Sequence, residues 1–134
     1  MADLSITATA VVPGEAADLQ TYIAGATIAA GKSVYLDTDG TVKLAVANGT
    51  ATSRRPLGIA VNGASAGQPV EVQRGGRLTV NAVLTKGVAY YQSRTAGGIA
   101  PFADLVTGDF PTLLGIAQST TVLDVVVREA GSAI

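Results

Sequence analysis

The stretch Leu57-Gly58-Ile59-Ala60 returns unchanged as Leu114-Gly115-Ile116-Ala117, 57 residues further along. In a chain with 16 glycines and abundant alanine, one such coincidence carries little weight, so the flanks decide the reading. Gly31-Lys32-Ser33-Val34-Tyr35 matches Gly87-Val88-Ala89-Tyr90-Tyr91 at an offset of 56, and Ile28 falls on Leu84. The turn Gly40-Thr41-Val42 falls on Gly97-Gly98-Ile99 once one residue is inserted. Both blocks run in one order: β-rich run, Gly step, Tyr-bearing strand, Gly turn, loop, Leu-Gly-Ile-Ala. Two such units, each too small to bury a core alone, predict one pseudo-symmetric all-β domain. The units cover residues 21–73 and 77–127 of a single β domain at 15–134, and residues 1–14 stand outside the repeat as an N-terminal arm.

At 134 residues the chain fits one domain, long enough to bury roughly two-thirds of its unfolded surface. Apolar content is 48% and aromatic content only 4%, so the core is built from Val, Ile, Leu and Ala. Such a core buries less area per residue than one anchored on Phe and Trp, and part of the stability is expected from association with other chains. Nine basic against ten acidic residues supply no field for steering onto nucleic acid or an anionic membrane. Met1-Ala2-Asp3 precedes no apolar run of signal-peptide type, and the uncharged runs 19–31 and 110–123 are too short to span a bilayer. Synthesis in a cytoplasm-like compartment is the expectation. Cysteine is absent, which excludes disulfides and thiolate metal sites.

Turn pairs punctuate the chain at Pro13-Gly14, Asp39-Gly40, Asn48-Gly49, Asn62-Gly63, Gly75-Gly76 and Gly97-Gly98. Val34-Tyr35-Leu36 and Val42-Lys43-Leu44 around Asp39-Gly40 form the clearest hairpin. Val70-Glu71-Val72-Gln73-Arg74 alternates and predicts a half-exposed strand, whereas Val122–Val127 suits a strand buried on both faces. Glu15 to Tyr22 has acidic residues at its start, as in a first helical turn, and Pro101–Val106 suits a turn or two of helix. Leu4 to Val12 alternates like a strand and stops at Pro13-Gly14. Nine extended residues reach about 30 Å. The arm therefore reads as a segment that adds to a sheet edge on a neighbouring subunit, burying Leu4, Ile6 and Val11.

No histidine is present, which removes the commonest general base and metal ligand and every Ser-His arrangement. The ten acidic residues are scattered. Asp37-Thr38-Asp39-Gly40 resembles the opening of a calcium loop but lacks the later ligands, and a hairpin turn accounts for it. Arg74-Gly75-Gly76-Arg77 reads as a turn between the units rather than a nucleic-acid element. Arg54-Arg55 is either a solvated pair or a contact for an acidic partner surface. Tyr35 and Tyr91 are equivalent by the repeat and predict core anchors, with Tyr90 turned to the opposite face. No enzyme, cofactor or metal is expected.

The phrases Ile28-Ala29-Ala30-Gly31-Lys32-Ser33-Val34-Tyr35-Leu36-Asp37, Pro56-Leu57-Gly58-Ile59-Ala60 and Ala64-Ser65-Ala66-Gly67-Gln68-Pro69-Val70-Glu71-Val72 look like a known group. They resemble the small capsid decoration, or cement, proteins of tailed bacteriophages, and the resemblance covers residues 21–128. It implies a compact, barrel-like β-tulip or β-clip-type fold, a homotrimer, and the major capsid protein as partner. It also implies a place on the outside of the virion and a structural role in head stabilisation. The alternative is a phage head or tail fibre module binding a host surface glycan, for which clustered aromatics are scarce here. The second unit departs from the phrase after Ala117, where Gln118–Thr121 replaces the longer Asn62–Pro69 loop.

Overall fold

Short β-branched runs set between glycine turns become ten strands in a computed structural model that describes residues 3–129 and 132–134. They are β1 Val12–Pro13, β2 Asp18–Ala24, β3 Ser33–Leu36, β4 Thr41–Leu44, β5 Gly58–Ala60, β6 Pro69–Thr79, β7 Ala89–Gln92, β8 Ile99–Pro101, β9 Leu113–Ala117 and β10 Val122–Arg128. All belong to one mixed sheet curled into a partial ring, and the fold is all-β. Among the described residues the helical pieces are two 3-10 turns, Ala8–Ala10 and Phe102–Asp104, the second starting after Pro101 as its sequence suggests.

Strand β6 is the axis of the molecule. Its first half is flanked by β2 and β5, its second by β1 and β10. Strands β2, β4, β3, β5 and β6 close on themselves, because β2 pairs both with β6 and, in parallel, with β4 at Ile23–Thr41 and Ala24–Val42. This ring holds a core of Ala24, Ile28, Val34, Val42, Ala60, Val70 and Val72. Strands β6, β10, β9, β7 and β8 follow in the same order around a second core of Leu78, Val80, Leu84, Tyr90, Ile99, Leu114, Ala117 and Leu123.

The two rings share their hydrogen bonds position by position. Gly31 and Gly87 both take positive φ, +89° and +84°, and their N–H groups donate to Ala60 O and Ala117 O, each at 2.8 Å. Ala60 N–H donates to Lys32 O, and Ala117 N–H to Val88 O. Ile28 N–H donates to Ala64 O, and Leu84 N–H to Thr120 O. The pairs Ser33–Ile59 and Val34–Gly58 recur as Ala89–Ile116 and Tyr90–Gly115.

Several expectations change. Glu15–Tyr22 is not a helix: Ala16 sits at φ 60° in a turn, and from Asp18 the chain is held as β2 along β6. Edge pairing with β6 overrides the local helical signal. Arg74–Arg77 is not a turn but lies inside β6, where Arg74 is the extra residue of a bulge opposite Asp18–Leu19 and Gly76 has φ +84°. Strand β10 is not buried on both faces; Leu123 and Val125 point into the core while Val122, Asp124 and Val126 are half-exposed. Tyr35 and Tyr91 are equivalent but half-exposed, and Tyr90 is the buried one, its hydroxyl accepting Thr85 N–H at 2.9 Å. The counterpart of Tyr90 is Val34, so the ring's inward face falls one residue earlier than the tyrosines alone suggest.

Candidate partner-binding surfaces

The arm is built into the second ring. In the first ring β2 pairs directly with β4; the corresponding stretches Thr79-Val80 and Gly98-Ile99 do not pair, and the arm lies between them. Leu4 N–H donates to Ile99 O at 2.8 Å on one side, and Val12 pairs with Thr79 on the other. Asn81 holds the middle, accepting Thr7 N–H and donating to Ser5 O. Ser93 Oγ donates to Asp3 Oδ1 at 2.6 Å. Val11 is buried in the second core, and Leu4 and Ile6 pack against it. These three side chains thus serve their own chain. Adding the arm to a neighbour's sheet would require this chain to give up these contacts and the neighbour's own arm to vacate the same gap, as in a domain swap.

Arg54 and Arg55 lie on the loop before β5, and the structure sends them apart. The Arg54 guanidinium stacks 3.8 Å from the centroid of the Phe110 ring, a cation–π contact between loops of the two units. Arg55 is exposed and reaches Glu129 at 3.9 Å, beside an open cleft lined by Asp18, Pro56, Leu57, Arg74, Val127 and Glu129. Arg55 is therefore the member of the pair available to a partner, and Arg54 a brace.

The β3–β4 hairpin brings Asp37 and Asp39 onto one cation. Lys43 Nζ donates to Asp37 Oδ2 at 2.6 Å and to Asp39 Oδ2 at 3.3 Å. The Lys43 ammonium and the Thr38 N–H hold the Asp37 carboxyl below its usual range. Hydrogen bonds from the Thr41 hydroxyl and N–H lower Asp39 to about 2. The same contacts raise Lys43. Burial and the nearby Asp37 charge raise the Tyr35 phenol. Both carboxylates are compensated by Lys43, which reaches them from β4. Among the described residues no group of three or more His, Cys, Asp or Glu is placed to hold a metal ion, and no helix is long and apolar enough to cross a membrane.

The junction between the rings was not legible as a site. Gln92 is fully buried there; its side chain accepts the Ser33 hydroxyl and donates to Ala45 O at 2.8 Å and Gly98 O at 3.2 Å. Ser33 N–H donates to Gly97 O, and Gly97 N–H to Ala45 O, so the β7–β8 turn is sewn onto the first ring. Arg94 and the buried Asp109 form an ion pair at 2.9 Å nearby. The available signal was a mismatch within the repeat: Ser33 corresponds to Ala89, and Gln92 to Leu36. No protein-family model matches this chain, and no curated protein matches it.

Proposed function

We propose that this chain is a structural protein that decorates and stabilises the outside of a bacteriophage capsid, binding the major capsid protein as a homotrimer and catalysing nothing. What supports the reading is the resemblance of residues 21–128 to cement proteins, together with one structural observation. Among the described residues, eight large apolar side chains stand at the surface: Val12, Leu19, Ile23, Leu36, Phe102, Val106, Ile116 and Ile134. Of these, Ile116 and Phe102 join the half-exposed Ala89, Leu113 and Tyr91 in one apolar patch across β7 and β9, and a contiguous patch of this kind suits macromolecular contact. Phe102 stands edge-on to Tyr91 with centroids 5.5 Å apart, the kind of rigid aromatic pair that anchors protein interfaces. Arg55 supplies an exposed cation beyond this apolar surface. The arm residues Leu4, Ile6 and Val11 contribute by holding the domain together rather than by reaching out.

The test is co-sedimentation of the purified protein with undecorated phage heads. Saturable binding at a fixed ratio to capsid subunits, and heads that survive higher temperature when decorated, are the expected results. Binding that falls in Phe102→Ser while the variant keeps its melting temperature would locate the contact. Absence of binding to heads of every tailed phage tried, alongside retention on a host-glycan column, would overturn the reading in favour of a fibre module.

A further inference from the structure

The two units present equivalent faces with opposite fates. In the first unit, Ser33, Ile59 and Gln73 lie side by side across β3, β5 and β6, and all three are fully buried. Ile59 is taken into the second core, and Ser33 is covered by Gln92 and the β7–β8 turn. In the second unit the same lattice positions are Ala89, Ile116 and Asp124 across β7, β9 and β10. Here the positions are left at the surface: Ile116 is 43% exposed, and Ala89 and Asp124 are half-exposed. The half-exposed Leu113 and Tyr91 extend the apolar surface along β9 and β7.

The covering element has its own unused twin. Gln92 ends β7 opposite Ile99; its counterpart Leu36 ends β3 opposite Val42. Gln92 is fully buried against Ser33, whereas Leu36 is 43% exposed. Inside the chain the two positions that meet are both polar, Ser33 and Gln92. At the two positions left open both partners are apolar, Ala89 and Leu36. A hydroxyl–amide pair suits a junction where backbone carbonyls must also be satisfied. A methyl–isobutyl pair suits a surface that buries itself by association.

We propose that the exposed β7–β9–β10 face, centred on Ile116 and Ala89, binds the Leu36 end of the β3–β4 hairpin of a second copy of this chain. The contact repeats between chains the junction already built between units. It joins two different patches, so it is head-to-tail, and a ring forms where the rotation from copy to copy closes. It gives the self-association proposed above its two faces, and it is independent of any capsid.

The test uses the full chain without phage heads. Size-exclusion chromatography with light scattering should give a discrete oligomer for the native sequence. Ile116→Arg and Leu36→Arg should each give a folded monomer, with strand circular dichroism and a melting temperature close to the parent. Mixed in equal amounts, the two variants should form a one-to-one heterodimer and nothing larger, because each retains the face the other lacks. A monomeric parent overturns the proposal even if it binds heads, and that outcome leaves the capsid-binding part of the reading standing without a trimer in solution. An oligomer that survives Leu36→Arg, or variants that stay monomeric when mixed, overturns it as well. Ile116→Ser and Leu36→Ser replace either arginine variant that fails to fold and are read in the same way.

Discussion

Glycine 58 and glycine 115 do one task twice. A Cβ at Gly58 would run into the carbonyl oxygen of Gln73, and one at Gly115 into that of Asp124. In both cases the obstacle is backbone of the adjacent strand, which cannot swing away. Alanine at either position is expected to cost about 1–3 kcal/mol through forced strand separation, read as a lower urea midpoint. Gly31 and Gly87 separate two causes of glycine dependence. Both have positive φ, but a Cβ at Gly87 meets open space while one at Gly31 meets Ile6 and Val11. Gly87→Ala should therefore lose only the conformational part, about 1–2 kcal/mol, and Gly31→Ala should lose clearly more. Equal losses would mean that the arm is not seated on Gly31.

Asp39 makes a prediction in pH. Its carboxyl is held at about 2 by the Thr41 hydroxyl and N–H, below the ordinary 3.8. A carboxylate lowered in the folded state adds stability that is present above the ordinary value and is lost as pH falls through the folded one. The hairpin should thus be insensitive to pH between 7 and about 4 and loosen between 3.8 and about 2. The Asp39 carboxyl carbon, followed by NMR, should titrate with a midpoint near the lower figure and move upward in Thr41→Val. A midpoint at the ordinary value would show that those hydrogen bonds do not persist in solution.

At the scale of elements, the arm and β6 decide how the units are joined. Strand β6 serves both rings because it continues through Arg74-Gly75-Gly76, where a bulge at Arg74 rather than a turn absorbs the change of neighbours. The arm occupies the gap that β2 and β4 close by direct pairing in the first ring. Deleting residues 3–12 would open the second core beside Ile99 and Val80. Fully burying an aliphatic side chain contributes about 1.5–3 kcal/mol, and Leu4, Ile6 and Val11 each contribute in proportion to the apolar area they bury. The truncated protein is expected to melt well below the parent and to exchange the Ile99 and Tyr90 amides faster. An unchanged melting temperature would show that the second ring holds without the arm.

Over the whole molecule the rings are not independent. Ile59 and Ala30, from the first unit, sit in the core of the second, and Gln92 ties the β7–β8 turn to Ser33 and Ala45. Unfolding should consequently be one cooperative transition, coincident by Tyr fluorescence and far-ultraviolet circular dichroism. Gln92→Ala leaves the Ser33 hydroxyl buried without its partner, while the Ala45 carbonyl keeps the Gly97 N–H, so the expected cost is about 1–3 kcal/mol for the one orphaned group. Two separated transitions in Gln92→Ala would show that this one side chain couples the rings.

Much of the architecture follows from local chemistry and was legible in the chain. Glycines that must take positive φ, β-branched runs of four or five residues, and the matching phrases about Leu-Gly-Ile-Ala fix the order of elements along the chain and the alignment of the units, because these depend on neighbours in sequence. The Asp39-Gly40 hairpin was legible for the same reason, its register set within ten residues. What the tertiary structure alone decided depends on which surfaces meet. Tyr90 rather than Tyr91 faces inward because ring closure, not tyrosine chemistry, sets the strand's parity. Asp18–Tyr22 is strand because β6 offers an edge. The arm folds back because the second ring has a gap its sequence does not reveal. Ile59 and Ile116 stand in identical phrases, yet one is core and the other surface, since burial belongs to what lies opposite a residue and not to the residue itself.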